Sequence, residues 1–358
     1  MINVTKTFLP PSEEYNEYLK KIWETHWVTN QGQLCEKLEN DLKEFLGVKN
    51  LLLVSNGTIA LQLAIKALDL KGEIITTPYS YAATVNSIIW ENCRPVFCDI
   101  EDKTFCINPE KIEELITEKT SAILPTHVYG FPCDTDRIKK TADKNGLKVI
   151  YDGAHAFGVK LNDSSVFNHG DISTISFHAT KLFHTIEGGA VITEDDKLAE
   201  KLFLYRAFGH LDDDYYSIGI NARTSEFNAA MGLCNLPRVP GFISERKKIN
   251  ILYKNFLKDL PLVFPVIPDD IFYNYSYFPV FFRSEKEMIS VKEILFENGI
   301  NARRYFYPSL NRLPFINGPE CPASEKSASC VLCLPVFNGM DEKIIETVSE
   351  IISRTIKS

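Results

Sequence analysis

Short apolar runs alternate with helical stretches from Leu51 to Asp152, and few folds accommodate that alternation. Leu51-Leu-Leu-Val, Glu73-Ile-Ile-Thr, Arg94-Pro-Val-Phe, Ser121-Ala-Ile-Leu and Leu147-Lys-Val-Ile-Tyr-Asp152 read as strands. Helical patterns follow Gly57, Pro78, Ile107 and Asp134. Strand and helix in alternation predict an α/β protein with a mostly parallel, doubly wound sheet. Ligands of such sheets gather beyond the carboxyl ends of the strands, so the residues just past each strand are read first.

Three such places stand out. After Leu51–Val54 comes Ser55-Asn-Gly57-Thr58 and a helix with apolar residues at 59, 63 and 67. Backbone N–H groups at a helix start, joined by the Thr58 hydroxyl, make an anion site. The strand before Gly153 ends in Asp152, with small residues and His155 behind it. A third pair, Ile172–Phe177 and Ala190–Thr193, encloses a turn that carries Lys181. Burial of a lysine lowers its pKa and leaves the neutral amine that Schiff-base chemistry requires. Each feature alone has an ordinary reading as a surface lysine, a capping acid or an N-cap turn. Their order carries more weight: a strand-end carboxylate followed by a lysine fits pyridoxal phosphate (PLP), whose ring nitrogen an acid keeps protonated. Tyr81, just past the strand broken by Pro78, offers an aromatic face for stacking on a ring or packing in the core.

Ser55–Leu61, Asp152–Ala156, Ser176–Lys181, Glu187–Gly189 and Gly219–Arg223 resemble, in the same order, the motifs of the DegT/DnrJ/EryC1/StrS nucleotide-sugar aminotransferases, a branch of the fold-type I PLP enzymes. The resemblance runs from about Trp27 to about Pro335. It implies a mostly parallel, seven-stranded-type sheet flanked by helices, a smaller α+β C-terminal domain, and a homodimer with shared active sites. Lys181 would hold PLP as a Schiff base and carry protons, with Asp152 at the ring nitrogen, Tyr81 stacking and His155 at the ring hydroxyl. Gly57, Thr58 and Ser176 would hold the phosphate, and Asn221 would reach the phosphate in the other subunit. Arg223, Tyr307 and Asn311 would meet the substrate, although the family often has a histidine where this chain has Asn311.

The pattern looks closest to the branch that uses L-glutamate to convert dTDP-4-keto-6-deoxyglucose into dTDP-4-amino-4,6-dideoxyglucose for a surface polysaccharide such as O-antigen. Gly153 stands where alanine is usual there, a change expected to lighten packing. A 3-keto-sugar or UDP-linked substrate remains open on these motifs. A sugar dehydratase of the family would carry histidine at Lys181, and a non-catalytic regulator would not need the lysine, acid and phosphate turn together.

A large PLP-binding domain is expected over 1–237, with a helical segment at 9–47, and a small domain over 238–358. The boundary falls at Leu236-Pro-Arg-Val-Pro-Gly241, by its Pro/Gly density. The small domain is expected to hold a helix at Ile243–Leu257, a strand at Tyr275–Phe282 and helices at 285–298 and 341–356. His210–Ile218 reads as a loop, and His127 as a structural histidine.

A net charge of −8 without a Lys/Arg block disfavours nucleic acid. The lack of a signal-like N-terminus or of a membrane-length apolar run points to a cytoplasmic protein. Nine cysteines, an odd number, suit reduced thiols there. The Cys330–Cys333 spacing lies in an apolar run and reads as core strand rather than as a metal or redox site.

Overall fold

In the computed structural model, which describes residues 1–357, the apolar runs become seven strands of one sheet. They are β1 (Asn50–Val54), β2 (Glu73–Thr76), β3 (Arg94–Phe97), β4 (Thr120–Leu124), β5 (Lys148–Asp152), β6 (Ile172–Ser176) and β7 (Gly189–Thr193). Their spatial order is β1-β7-β6-β5-β4-β2-β3. All neighbours pair in parallel except β7, which runs against both β1 and β6. A parallel return needs a long crossover, and the segment between β6 and β7 forms none. Consequently Gly189 pairs with both Val54 and Ser176, and the turn between β6 and β7 lies at the carboxyl edge of the parallel strands.

The strands are mostly buried, with apolar residues on both faces, because both faces are covered. Leu52, Val54, Ile74, Ile150 and Val191 pack toward α3 (Gly57–Ala67) and the helix Asp196–Tyr205. Leu51, Leu53, Ile175 and Ile192 point the other way, against Leu38 and Leu42 of the helix Gln33–Leu46 and Ala229 and Leu233 of the helix Glu226–Asn235. Ser225 caps that last helix, its hydroxyl accepting from the Asn228 N–H. The helix α4 (Ala82–Trp90) begins directly beyond the Pro78 break.

The C-terminal part has its own core, with Tyr253, Leu257, Phe278, Val280, Leu295 and Val348 among its members. The chain start joins it, since Ile2–Asn3 pairs in parallel with Ile300–Asn301. Among the described residues, no helix is long and apolar enough to cross a membrane.

The structure corrects several expectations. The Pro/Gly-dense segment Leu236–Gly241 is helical, and Ile243 is not where its helix starts: a 3-10 turn (Leu236–Arg238) runs into the helix Val239–Leu257. Pro237 and Pro240 stand second in these two elements, within the first turn. The strand expected at Tyr275–Phe282 is confined to Pro279–Phe281, and the residues before it form a loop at the sheet edge. The His210–Ile218 loop contains a small hairpin, His210–Leu211 against Asp214–Tyr215. Val331–Cys333 is a buried strand, as read, but Cys330 ends the preceding helix. Gly153 does not lighten packing: a Cβ there would lie 2.4 Å from Phe167 Cε1, so the ring occupies the space alanine would need.

Candidate active site

A cavity of about 600 Å³ opens at the carboxyl edge of β1, β5 and β6. It is lined by Gly57, Thr58, Tyr81, Asp152, His155, Ser176 and Lys181, drawn from four separated stretches of sequence. Tyr277, Arg303, Tyr305 and Phe306 close it from the C-terminal part.

Lys181 follows a tight turn, its N–H bonded to the His178 carbonyl at 2.9 Å. Its Nζ lies 3.4 Å from the Tyr277 hydroxyl. Desolvation lowers the ammonium pKa to about 8, against the opposing pull of Asp152 and Tyr81. A substantial fraction is therefore neutral near physiological pH and able to attack a carbonyl carbon.

Asp152 is 5% exposed. Its Oδ2 accepts from the Thr84 hydroxyl at 2.7 Å and its Oδ1 from the Ala154 N–H at 3.1 Å. Burial raises its pKa, while these two donors and Lys181 pull it down.

His155 packs face to face with Phe306 at 5.4 Å and beside Tyr277 at 4.7 Å. Burial and Lys181 hold its pKa well below the usual value, so the ring is neutral. Its Nδ1 accepts the Tyr129 N–H at 3.2 Å. The proton therefore sits on Nε2, available to an oxygen in the cavity.

At the other end of the cavity, Asn56 caps α3 by accepting from the Ile59 N–H at 2.9 Å. The N–H groups of Gly57 and Thr58, in the first turn, have no intrahelical acceptor and suit an anion. Ser176 presses against this turn so closely that a Cβ on Gly57 would lie 2.8 Å from the Ser176 Cβ. Gly57→Ala must therefore push β6 and α3 apart. The variant is expected to hold a phosphate-bearing cofactor about tenfold more weakly, by the usual penalty of overpacking. Dialysis followed by visible absorbance measures this, and unchanged retention would show that the close approach is unimportant.

The remaining expected residues lie outside the cavity. Asn221 is exposed and accepts from Arg223 Nε at 3.3 Å, and Arg223 also covers the Phe208 ring. Tyr307 is 52% exposed beneath the Arg304 guanidinium. Asn311 is a correction: it is buried, its amide donating to the Pro319 carbonyl and Glu325 while accepting from Ser309. That side chain braces a loop and has no group left for a substrate. His127 is structural, as read: it is fully buried, stacked on Tyr151, and accepts from the Cys133 N–H.

Sequence reasoning missed Tyr277, Phe306, Ser80, Thr84 and Thr126, which lie in or directly behind the cavity wall. Thr84, in the first turn of α4, was within reach of a motif reading, whereas Tyr277 and Phe306 carry no local signal.

The site fits PLP. A lysine with a lowered pKa, a buried carboxylate, a neutral histidine with an N–H on Nε2 and a glycine-backed helix start suit the group's aldehyde, ring nitrogen, hydroxyl and phosphate.

A sequence profile described as the DegT/DnrJ/EryC1/StrS aminotransferase family matches residues 11–353. A dTDP-4-amino-4,6-dideoxy-D-glucose transaminase of Shigella dysenteriae is 44% identical, the alignment covering 97% of each chain. A transaminase of the same description from Escherichia coli is 40% identical over 98% of each. Among solved structures, DesI in the presence of its TDP-sugar product superposes with a TM-score of 0.94 at 30% identity, covering 99% of this chain and 93% of that one.

Proposed function

The chain belongs to the DegT/DnrJ/EryC1/StrS aminotransferase family and is a PLP-dependent sugar aminotransferase; we propose that it moves the amino group of L-glutamate onto dTDP-4-keto-6-deoxy-D-glucose. The product would be dTDP-4-amino-4,6-dideoxyglucose, a precursor for a surface polysaccharide such as O-antigen. The observation that supports this substrate is the full-length identity to transaminases described by that product.

The geometry of the cavity supports the following residue roles. PLP supplies an aldehyde carbon that carries nitrogen between donor and acceptor, and a ring that takes up the electron pair left when a C–H bond breaks. Lys181 Nζ would anchor the group until the amino donor replaces it. Freed, the amine would remove the proton at the donor's α-carbon, and would return one to the sugar carbon in the second half of the reaction. Asp152 would stay ionised opposite the ring nitrogen and hold a proton there. His155 would offer its Nε2–H to the ring hydroxyl and so orient the ring, and Tyr81 would stack on its face. Gly57, Thr58 and Ser176 would hold the phosphate. The net result exchanges the donor's amino nitrogen for the ketone oxygen of the sugar.

Asn221, Arg223 and Tyr307 fit a role at the neighbouring subunit's site or the outer part of the substrate, since all three lie outside this chain's cavity. A homodimer is supported by exposed apolar side chains such as Trp23, Trp27, Phe208, Tyr215 and Ile218, at and around these segments. An enzyme that draws on L-glutamate and a nucleotide-linked sugar would act in the cytoplasm. The domains at 1–237 and 238–358 would then hold cofactor and cover substrate, respectively.

The test is incubation with L-glutamate and a panel of dTDP- and UDP-linked 3- and 4-keto-6-deoxyhexoses. The expected outcome is amination of the dTDP-linked 4-keto sugar, with the other sugars at least about tenfold slower in kcat/KM. Preferred amination at C3 or on a UDP sugar would overturn the substrate assignment.

A further inference from the structure

Behind Asp152 runs a line of buried hydroxyls that the reaction as described does not use. Thr126 Oγ1 donates to Ser80 Oγ at 3.1 Å, Ser80 Oγ and Thr84 Oγ1 are 2.7 Å apart, and Thr84 Oγ1 donates to Asp152 Oδ2 at 2.7 Å. The three hydroxyl residues are between 0% and 2% exposed, so solvent does not compete for these bonds.

The proton directions in this line are fixed by counting. Each hydroxyl has a single proton. An ionised carboxylate cannot donate, so the Thr84 proton points at Oδ2. The Thr84 oxygen must then receive from Ser80, and the Ser80 oxygen from Thr126. All three dipoles point at Asp152, and aligned hydrogen bonds of this kind strengthen one another.

Protonating Asp152 would break the order. A proton on Oδ2 would either take the lone pair that receives the Thr84 hydroxyl, forcing the line to reverse, or sit on the other lone pair and weaken that oxygen as an acceptor for it. A proton on Oδ1 would oppose the Ala154 N–H, which donates to that atom. The line therefore favours the carboxylate over the acid, against the burial that disfavours the charge.

We propose that Thr84, at the head of this one-way hydroxyl line, is a positioning residue that holds Asp152 ionised and aimed at the cofactor's ring nitrogen. The inference rests on the reading that Asp152 faces that nitrogen. The other titratable groups around Asp152 are Lys181 from the β6–β7 turn, His155 from the turn after β5, and Tyr81 at the start of α4. His155 is neutral, and Tyr81 acts on Lys181, so Lys181 is the charge that must be kept constant. The plain alternative is that Thr84 merely ties α4 to β5.

The two are separated on the holoenzyme, loaded with PLP labelled with nitrogen-15 in the ring, by the ring-nitrogen NMR shift across pH. Wild type and Thr84→Ser, which keeps the hydroxyl, are expected to show a protonated nitrogen at neutral pH. Thr84→Val, equal in shape but without a donor, is expected to lower the deprotonation midpoint by about one to two pH units. Its kcat should fall about ten- to a hundredfold with KM for either substrate nearly unchanged. In an Asp152→Asn background the same change should add little, because its target is gone.

A Thr84→Val enzyme that binds PLP with a wild-type midpoint overturns the proposal, whatever its activity, and so does failure of Thr84→Ser to restore the midpoint. If Thr84→Val does not fold, Ser80→Ala serves instead: a smaller shift in the same direction supports the line and no shift overturns it. An unprotonated ring nitrogen in wild type would instead remove the reading of Asp152 itself, and the identity of the sugar affects none of these outcomes.

Discussion

Lys181→Ala is expected to keep its fold and lose about four orders of magnitude or more in turnover. Two contributions disappear together: the amine that anchors the cofactor, and the base that moves the proton, which alone is worth up to about 10⁴-fold. The fold should survive because the substitution removes a desolvated ammonium rather than a core contact, and Lys181 makes one long hydrogen bond, to Tyr277. Lys181→Arg is the companion variant. It keeps a positive charge, but a guanidinium stays protonated and cannot serve as the base, so it should be equally inactive.

Borohydride treatment of the loaded wild type should fix the cofactor on the peptide that contains Lys181, and mass spectrometry should find no such adduct in either variant. The lowered pKa adds a sign that can be checked. The neutral amine is the nucleophile, so uptake of PLP by the apo protein should accelerate as pH rises through about 8 and level off above it. An ordinary lysine would still be accelerating near pH 10. Normal turnover by Lys181→Ala would end the assignment.

The parts of this site that could be read from the chain are those in which a residue type and a strand end coincide. Asp152 ends β5, Ser55–Thr58 follows β1, and Lys181 lies between β6 and β7. A parallel sheet sends such ends to one edge, so topology alone brings them together. The reversed β7 was not evident in advance, yet it is this strand that returns the lysine turn to that edge.

Tyr277 and Phe306 were invisible for a different reason. They lie on irregular segments that reach the cavity through tertiary packing, and nothing in their local pattern records it. Asn311 misled because a polar residue in a matched segment suggested a ligand, whereas the fold uses its amide to hold Pro319 and Glu325. The helix expected from Ile243 starts earlier, at Val239, because the proline that breaks a helix interior is well tolerated in its first turn.

Asp152→Asn should separate cofactor capture from turnover by moving them in opposite directions. The amide has the carboxylate's shape and can still accept from Thr84, so the cavity should keep its form and its cofactor. It carries no negative charge, and the ring nitrogen opposite it would lose the partner that keeps it protonated. The electron pair released on C–H cleavage is then poorly accommodated, and turnover should fall by about 10²- to 10³-fold.

The same lost charge acts on Lys181 with the other sign. Asp152 raises the lysine's pKa in the native site, so its removal should lower that pKa further below about 8. More of the amine is then neutral at pH 7, and apo Asp152→Asn should take up PLP at least as fast as wild type while using it far more slowly. Stopped-flow absorbance measures the first rate and steady-state amination the second. Near-normal turnover would remove Asp152 from the chemistry. Slower capture with impaired turnover would mean that the carboxylate acts on the lysine by geometry rather than by charge.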